Sequence, residues 1–350
     1  MSSRLPRIGL ALAAALLVAA IVVTSALHRR TLYTTTWFDF FDTVSVVKGY
    51  ARSQAEWDEQ MEALHADLLH YHQLFDIYNH YDGMVNLYDV NAGAAAAPVA
   101  VADDLYAFLD WCANTIYPET DGSTNIAAGA VLSLWHDARE SDNPVPPADA
   151  LIRQALDHID IANLQLDAGA HTVYFADAAM SLDVGAVGKG YAVEKAAEAA
   201  QARGLDSALL NIGGNLRAIG EKANGEGTWT VGVENPWGSD PAYVQTVTLP
   251  DGYSLIVSGD YQRYFEYKGV RYSHLIDLTT GYPARYCNSV AILSPAGGGG
   301  TGDALSTALF CLPEDAGRTV LAGVPGYEAL WLYPDGSSAR SDGWTGQSVS

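Results

Sequence analysis

The sequence predicts an α+β fold: one mixed domain over residues 31–350, preceded by an N-terminal signal or membrane-anchor helix within residues 1–30. Three observations lead there. The chain has 350 residues, 49% hydrophobic and 17% charged, which suits a sizeable core and argues against disorder. Segments with helical apolar spacing and strand-like apolar runs both occur along it. No internal repeat and no convincing linker divides it into two folded units.

At the N-terminus, Arg4 and Arg7 precede an uncharged, almost wholly apolar run over residues 8–27. A run of about 20 residues is long enough to span a bilayer. Thr24-Ser25-Ala26 also resembles a small-residue cleavage site, so secretory signal and membrane anchor both remain open. No Cys follows for a bacterial lipid anchor. Either way the chain is expected outside the cytoplasm, in the bacterial cell envelope, membrane-anchored or secreted, although His28, Arg29 and Arg30 blur the positive-inside signal.

After a Thr/Tyr-rich lead over 31–36, residues 40–47 (FFDTVSVV) predict the first strand. Trp57, Met61, Leu64, Leu68 and Leu69 recur at helical spacing and predict a helix over 53–72, which 74–79 closes. Residues 81–91 predict a polar loop and 92–97 a small-residue loop, before a helix over 105–117 capped by Asp103 or Asp104. The run 121–135 (DGSTNIAAGAVLSLW) is crowded with small residues, which permit close backbone approach to a ligand or close helix packing. A Pro-rich linker over 141–148 leads to an amphipathic helix near 149–158.

Residues 181–217 predict a strand end, a loop with Gly185, Gly188 and Gly190, an alanine-rich helix, a short strand and a Gly213-Gly214 turn. Exposed backbone beside a helix N-terminus is a natural seat for phosphate. Neither standard nucleotide motif is present. A P-loop would need Gly at Asp183 and Ser or Thr at Gly190, and a dinucleotide fingerprint starting at Gly188 meets Val193 where a small residue should pack. Strands are predicted at 229–234, 244–249, 254–258, 264–267, 289–293 and 328–333. Residues 297–300 predict a mobile loop leading to a helix over 301–310 capped by Thr301.

Lys plus Arg number 19 against 41 Asp plus Glu, a formal charge of −22, which repels nucleic acid and anionic membranes. An anionic substrate then needs a local cation, and a divalent metal is one way to supply it. Cys112, Cys287 and Cys311 have no metal-ligand spacing and sit in apolar or mixed contexts, where buried free thiols are the ordinary outcome.

Several side chains suit chemistry, each with an ordinary alternative. Asp303 and Thr307 share one helix face, a seat for a hard cation such as magnesium, or a dipole-complementing Asp and a backbone-bonded Thr. His274 stands in a dense polar turn as a candidate base that Asp277 would orient, or as a structural strand-end histidine. Asp183 and Lys189 flank the glycine loop, or form a turn and a solvated helix start. Trp135, Tyr78 and Phe41 offer rings that stack on a flat ligand or belong to the core.

Taken together, Asp183-x-x-Ala186-x-Gly188-Lys189-Gly190-Tyr191-Ala192, Asn211-x-Gly213-Gly214-Asn215, Ser258-Gly259-Asp260-Tyr261, His274-x-Ile276-Asp277-x-x-Thr280-Gly281-x-Pro283 and Asp303-Ala304-Leu305-x-Thr307-Ala308 resemble the ApbE family of FAD:protein FMN transferases. The resemblance runs from about residue 40 to 333 with order and spacing kept. It implies a mixed α/β domain of the ApbE, T-fold-like type. It also implies a Mg²⁺-dependent enzyme that cleaves FAD at its pyrophosphate, attaches FMN to a threonine or serine of a partner flavoprotein domain, and releases AMP. By residue matching, Asp303, Thr307 and the Ala186 carbonyl correspond to metal ligands, and Asp183 and Lys189 to FAD contacts. Trp135, Tyr78 and Phe41 fall where the family holds the flavin nucleotide, and His274 matches the histidine that helps deprotonate the acceptor. Phe41-Asp42-Thr43 departs from a common Met-Gly-Thr, and 78–90 matches loosely. An FAD pyrophosphatase and a non-catalytic extracytoplasmic FAD-binding protein are the alternative readings.

Overall fold

The computed structural model describes residues 29–238 and 240–349. Eight strands hydrogen-bond into one antiparallel sheet in the order Thr31–Phe40, Thr43–Ala51, Ala208–Ile212, Asn215–Ile219, Ser254–Gly259, Ser289–Ser294, Glu328–Leu332 and Ser338–Arg340. Ser289–Ser294 (SVAILS) is buried along its whole length, as suits a strand covered on both faces.

Successive side chains point to opposite faces, and the sheet uses both. On one face Val47, Leu210, Ile212 and Ile219 meet Trp57, Met61, Leu64 and Leu68 of helix Gln54–Leu74 and Ala196, Ala197 and Ala200 of helix Gly188–Ala202. The alanines let that second helix lie close to the sheet. On the other face Ala218, Leu255, Ala291 and Leu330 pack against Trp229, Val231, Val233 and Val247 of a three-stranded sheet. Beside this sandwich, a second group of helices, Leu87–Gly93, Asp103–Trp111, Gly129–Glu140 and Asp149–Leu156, packs with small hairpins around Phe108, Phe175 and Trp135.

The predicted strands at 229–234 and 264–267 are observed with those bounds, and the helix over 53–72 runs Gln54–Leu74 with Ser53 accepting from the Glu56 N–H as its cap. Other elements differ. Residues 40–47 are no single strand: the chain reverses at Phe41 and Asp42, both left-handed (φ 51° and 53°), and the Thr/Tyr-rich lead becomes the partner strand Thr31–Phe40. A pair of left-handed residues is the backbone that joins two strands tightly. Helix Leu87–Gly93, started by reciprocal bonds between Asn86 and Asp89, begins inside the expected loop over 81–91 and ends inside the one over 92–97. The helix over 105–117 begins at Asp103 and passes into a π-helical turn at Cys112–Ile116.

Residues 299 and 300 are likewise not loop but the first turn of helix Gly299–Phe310, so Thr301 lies inside it. Its cap comes from another element, because Glu194 Oε2 accepts from the Gly299 N–H at 3.1 Å. Helix Glu314–Gly323 and hairpin Leu164–Asp167/Thr172–Phe175 were not anticipated. All three cysteines are buried and unbridged. The apolar run 8–27 lies outside the described residues, among which no helix is long and apolar enough to cross a membrane.

Candidate active site

Two backbone bonds set the entry to the glycine loop: Gly129 N–H to Ser181 O at 3.0 Å and Asp183 N–H to Ile126 O at 2.9 Å. A Cβ at Gly129 would lie 2.5 Å from Ser181 Oγ, so the small-residue run 121–135 serves this backbone-to-backbone contact. Asp183 Oδ1 then accepts from Gly185 N–H at 2.8 Å, turning the chain into helix Gly188–Ala202.

At the start of that helix, the Gly190 N–H donates to Asp303 Oδ2 at 2.8 Å. A Cβ at Gly190 would stand 2.5 Å from both Asp303 Cβ and Gly299 O, so only glycine lets the two helices cross here. The N–H of a residue in the first turn of a helix has no carbonyl partner within that helix, so this donor is free for Asp303. The Ala186 carbonyl, just ahead of the helix, has no hydrogen-bond partner among the described residues. The Thr307 hydroxyl, one turn beyond Asp303, likewise bonds no described residue, and Ser306 takes the Asp303 carbonyl instead.

Asp303 is almost fully buried. Burial pushes its carboxyl up, opposed by the Lys189 ammonium 3.9 Å away, the Gly190 N–H and the Asn215 side chain. Asn215 Oδ1 is buried without a partner. Among the described residues no group of three or more His, Cys, Asp or Glu gathers to hold a metal. The donors here are oxygens instead: one carboxylate, one hydroxyl and one free carbonyl, with an orphaned amide oxygen nearby. Such a set suits a hard cation that keeps water or substrate in its remaining positions, so these residues fit magnesium.

His274 is held by Arg263. The Arg263 carbonyl accepts both the His274 backbone N–H at 3.1 Å and Nδ1–H at 3.2 Å, which leaves Nε2 unprotonated. Burial, then the positive charges of Arg263, Arg139 and Lys189, push the imidazole down to about 3. Asp277, expected to orient His274, does not touch it. Its Oδ1 accepts from the Thr279 N–H and hydroxyl at 2.8 and 2.6 Å, and its Oδ2 from Tyr286 at 3.2 Å, so its acceptor capacity closes the 277–281 turn.

Asp183 is part-buried and its carboxyl is pushed up by desolvation, countered by the Gly185 N–H, His136, Arg139 and Arg263. With Tyr78, Ser133 and His136 it lines a pocket of about 180 Å³. That is below the roughly 300 Å³ at which small-molecule pockets begin, room for one ring. Tyr78 is 54% exposed and stacks on His136 with centroids 4.8 Å apart. Phe41 is half-buried at the hairpin tip, and Arg263 donates to its carbonyl at 2.8 Å. Trp135 is only 2% exposed: Nε1 donates to Gly281 O at 2.8 Å and the indole stacks on Tyr272, so it backs the site as core.

The structure thus joins Lys189, Gly190 and Asp303, pairs Tyr78 with Asp183, and brings Lys189 into the field of His274. Arg263, Arg139, His136 and Glu194 escaped the sequence reading. Arg263 follows a quoted motif by two positions, but nothing in its spacing marks it.

Fold and site together define a mixed α/β protein in which a buried carboxylate and a lysine meet where two helices cross at a glycine. The family model described as "ApbE family" matches residues 40–331. An FAD:protein FMN transferase from Treponema pallidum (strain Nichols) is 38% identical over 259 residues, 70% of each chain. One from Klebsiella pneumoniae (strain 342) is 29% identical over 245 residues, 70% of this chain and 73% of that one. Among solved structures, the ApbE protein of Thermotoga maritima superimposes with a TM-score of 0.79 at 28% identity, covering 89% of this chain and 97% of that one. The flavin transferase ApbE from Vibrio cholerae shares the fold, with a TM-score of 0.74 at 23% identity and coverage of 89% and 97%. The chain belongs to the ApbE family.

Proposed function

We propose that this protein transfers the FMN portion of FAD to a threonine or serine hydroxyl of an acceptor flavoprotein domain, releasing AMP. The observation that carries the reading beyond mere FAD binding is the His274 imidazole, held neutral with Nε2 free. A carrier needs no base, whereas a neutral hydroxyl attacking phosphorus does.

In this reading the acceptor oxygen bonds to the flavin-side phosphorus, the bond from that phosphorus to the bridging oxygen breaks, and AMP departs with that oxygen. The hydroxyl proton passes to His274 Nε2 and then to solvent. Lys189, Arg139 and Arg263 offset the pyrophosphate charge locally within a chain of net charge −22. Tyr78 and Phe41 contact the flavin nucleotide, Asp183 binds at the same pocket, and Trp135 supports that wall from behind. Asp303, Thr307 and the Ala186 carbonyl would hold magnesium, which when bound neutralises charge on the reacting and leaving phosphates. The apolar run 8–27 supports an extracytoplasmic site of action, where the acceptor would also reside.

The test incubates the full chain in detergent with FAD, Mg²⁺ and a flavoprotein domain bearing an acceptor threonine. Fluorescence on a denaturing gel reports covalent flavin and chromatography reports AMP. Both products are expected in equal amount. AMP alone would replace the reading with an FAD pyrophosphatase, and neither product would leave an FAD-binding protein.

A further inference from the structure

Arg263 bridges two parts of the site. Its carbonyl accepts both N–H groups of His274, and its guanidinium donates to the Phe41 carbonyl at 2.8 Å. Phe41 belongs to the hairpin Thr31–Phe40/Thr43–Ala51 and His274 follows strand Val270–Ser273, so residues more than two hundred positions apart meet through one residue, whose side chain holds Phe41 and whose backbone carbonyl holds His274.

The hairpin tip needs such a hold. Phe41 and Asp42 both carry positive φ, at 51° and 53°, a region in which a side chain is strained and which persists only where the surroundings impose it. Two bonds impose it on Phe41: its N–H donates to His72 Nδ1 at 3.3 Å, and its carbonyl accepts from Arg263. Beyond the turn, Thr43 packs against Gly213, where a Cβ would lie 2.5 Å from Thr43 Oγ1, so the tip is fitted to its neighbour hairpin as well.

We propose that Arg263 is a positioning residue for transfer, tying the left-handed tip at Phe41 to the backbone that orients His274, so that the flavin-contacting tip and the base are held as one unit. The inference rests on the proposed function for its kinetic consequence and on geometry alone for the tether. A guanidinium suits the role because it directs a donor in a fixed plane while its remaining N–H groups stay available. The charges facing His274 are Arg263 itself, Arg139 on helix Gly129–Glu140 and Lys189 on helix Gly188–Ala202, so removing Arg263 takes away one of three.

Arg263→Met and Arg263→Lys in the full chain test it. Arg263→Met should lower kcat for transfer about tenfold or more and raise KM for FAD, the result of loosening a positioned base and a binding tip together. Amide exchange at Thr43 and neighbouring hairpin residues should quicken. The His274 ring titration, followed by NMR, should move up towards its ordinary range. Arg263→Lys, which keeps the cation and one donor but not the fixed plane, should recover part of kcat and the low titration. Arg263→Met with kcat, KM and hairpin exchange within twofold of wild type overturns the proposal. So does a loss that tracks melting temperature alone and that lysine does not rescue. If the wild type makes neither covalent flavin nor AMP, the function fails instead, while exchange and the NMR titration still decide the tether.

Discussion

Gly190 N–H bonds Asp303 Oδ2 at 2.8 Å, and this contact does three things. It lets the two helices cross, partly satisfies a buried carboxylate, and gives a partner to a first-turn N–H that the helix itself leaves unpaired. Gly190→Ala should therefore part the helices, since its methyl group would meet Asp303 Cβ and Gly299 O at 2.5 Å. Overpacking of this kind costs about 1–3 kcal/mol. Urea denaturation should show that loss, and the rise in melting temperature that the proposed cation site would give the wild type with Mg²⁺ should be lost in the variant. An unchanged Mg²⁺ response would show that the crossing does not shape the cation site.

Asp303→Asn separates stability from function. Burial opposes the charge on Asp303, so a neutral isostere that still accepts the Gly190 N–H should melt, without metal, at the wild-type temperature or higher. Transfer should fall about a hundredfold or more, in line with losing a metal-dependent electrostatic contribution. Melting curves with and without Mg²⁺ check it: wild type rises and the variant does not. A variant that still responds to Mg²⁺ would place the cation elsewhere.

His274→Asn should slow transfer while FAD affinity stays within about threefold, as for a group acting in the transition state. It should also change how stability depends on pH. His274 is pushed down to about 3 in the fold from an ordinary 6.5, so the unfolded chain binds the extra proton between those values. Wild-type stability then falls as pH drops from about 6.5 towards 3, by at most about 1.4 kcal/mol per unit from this group. Asp183 and Asp303, pushed up by burial, act with the opposite sign, so the difference between wild type and variant is the quantity to measure. Identical pH slopes would refute the buried neutral state.

Glu194 and Arg217 are 4% and 3% exposed and bond at 2.9 Å, and Glu194 also takes the Gly299 N–H. Glu194→Ala leaves a buried guanidinium and an unsatisfied helix end, and should cost about 3–5 kcal/mol. Glu194→Leu with Arg217→Met should restore much of that stability, because no buried charge remains. Chemical denaturation of wild type and both variants checks it. A double variant no more stable than Glu194→Ala would show that the pair contributes more than mutual neutralisation.

Much of the fold was legible in residue order. Strands such as Trp229–Glu234 and helix Gln54–Leu74 follow from their apolar pattern, because that signal acts over a few neighbouring residues. Turns at Phe41-Asp42 and the start of helix Gly299–Phe310 were hidden. Neither a Phe-Asp pair nor a run of glycines announces what holds it; Arg263 and Glu194, distant in sequence, do.

Sequence alone determined the residue types of the site, their order, and with them the family: Asp183, Lys189, His274, Asp303 and Thr307 stand in motifs whose spacing survives without any structure. Tertiary structure decided their partners. It gave the Gly190 N–H to the Asp303 carboxylate, gave Arg263 rather than Asp277 to the histidine, and withdrew Trp135 into an aromatic stack. The reason is physical: local pattern records which groups can bond, but a buried donor or acceptor is claimed by whatever the packing brings within about 3 Å.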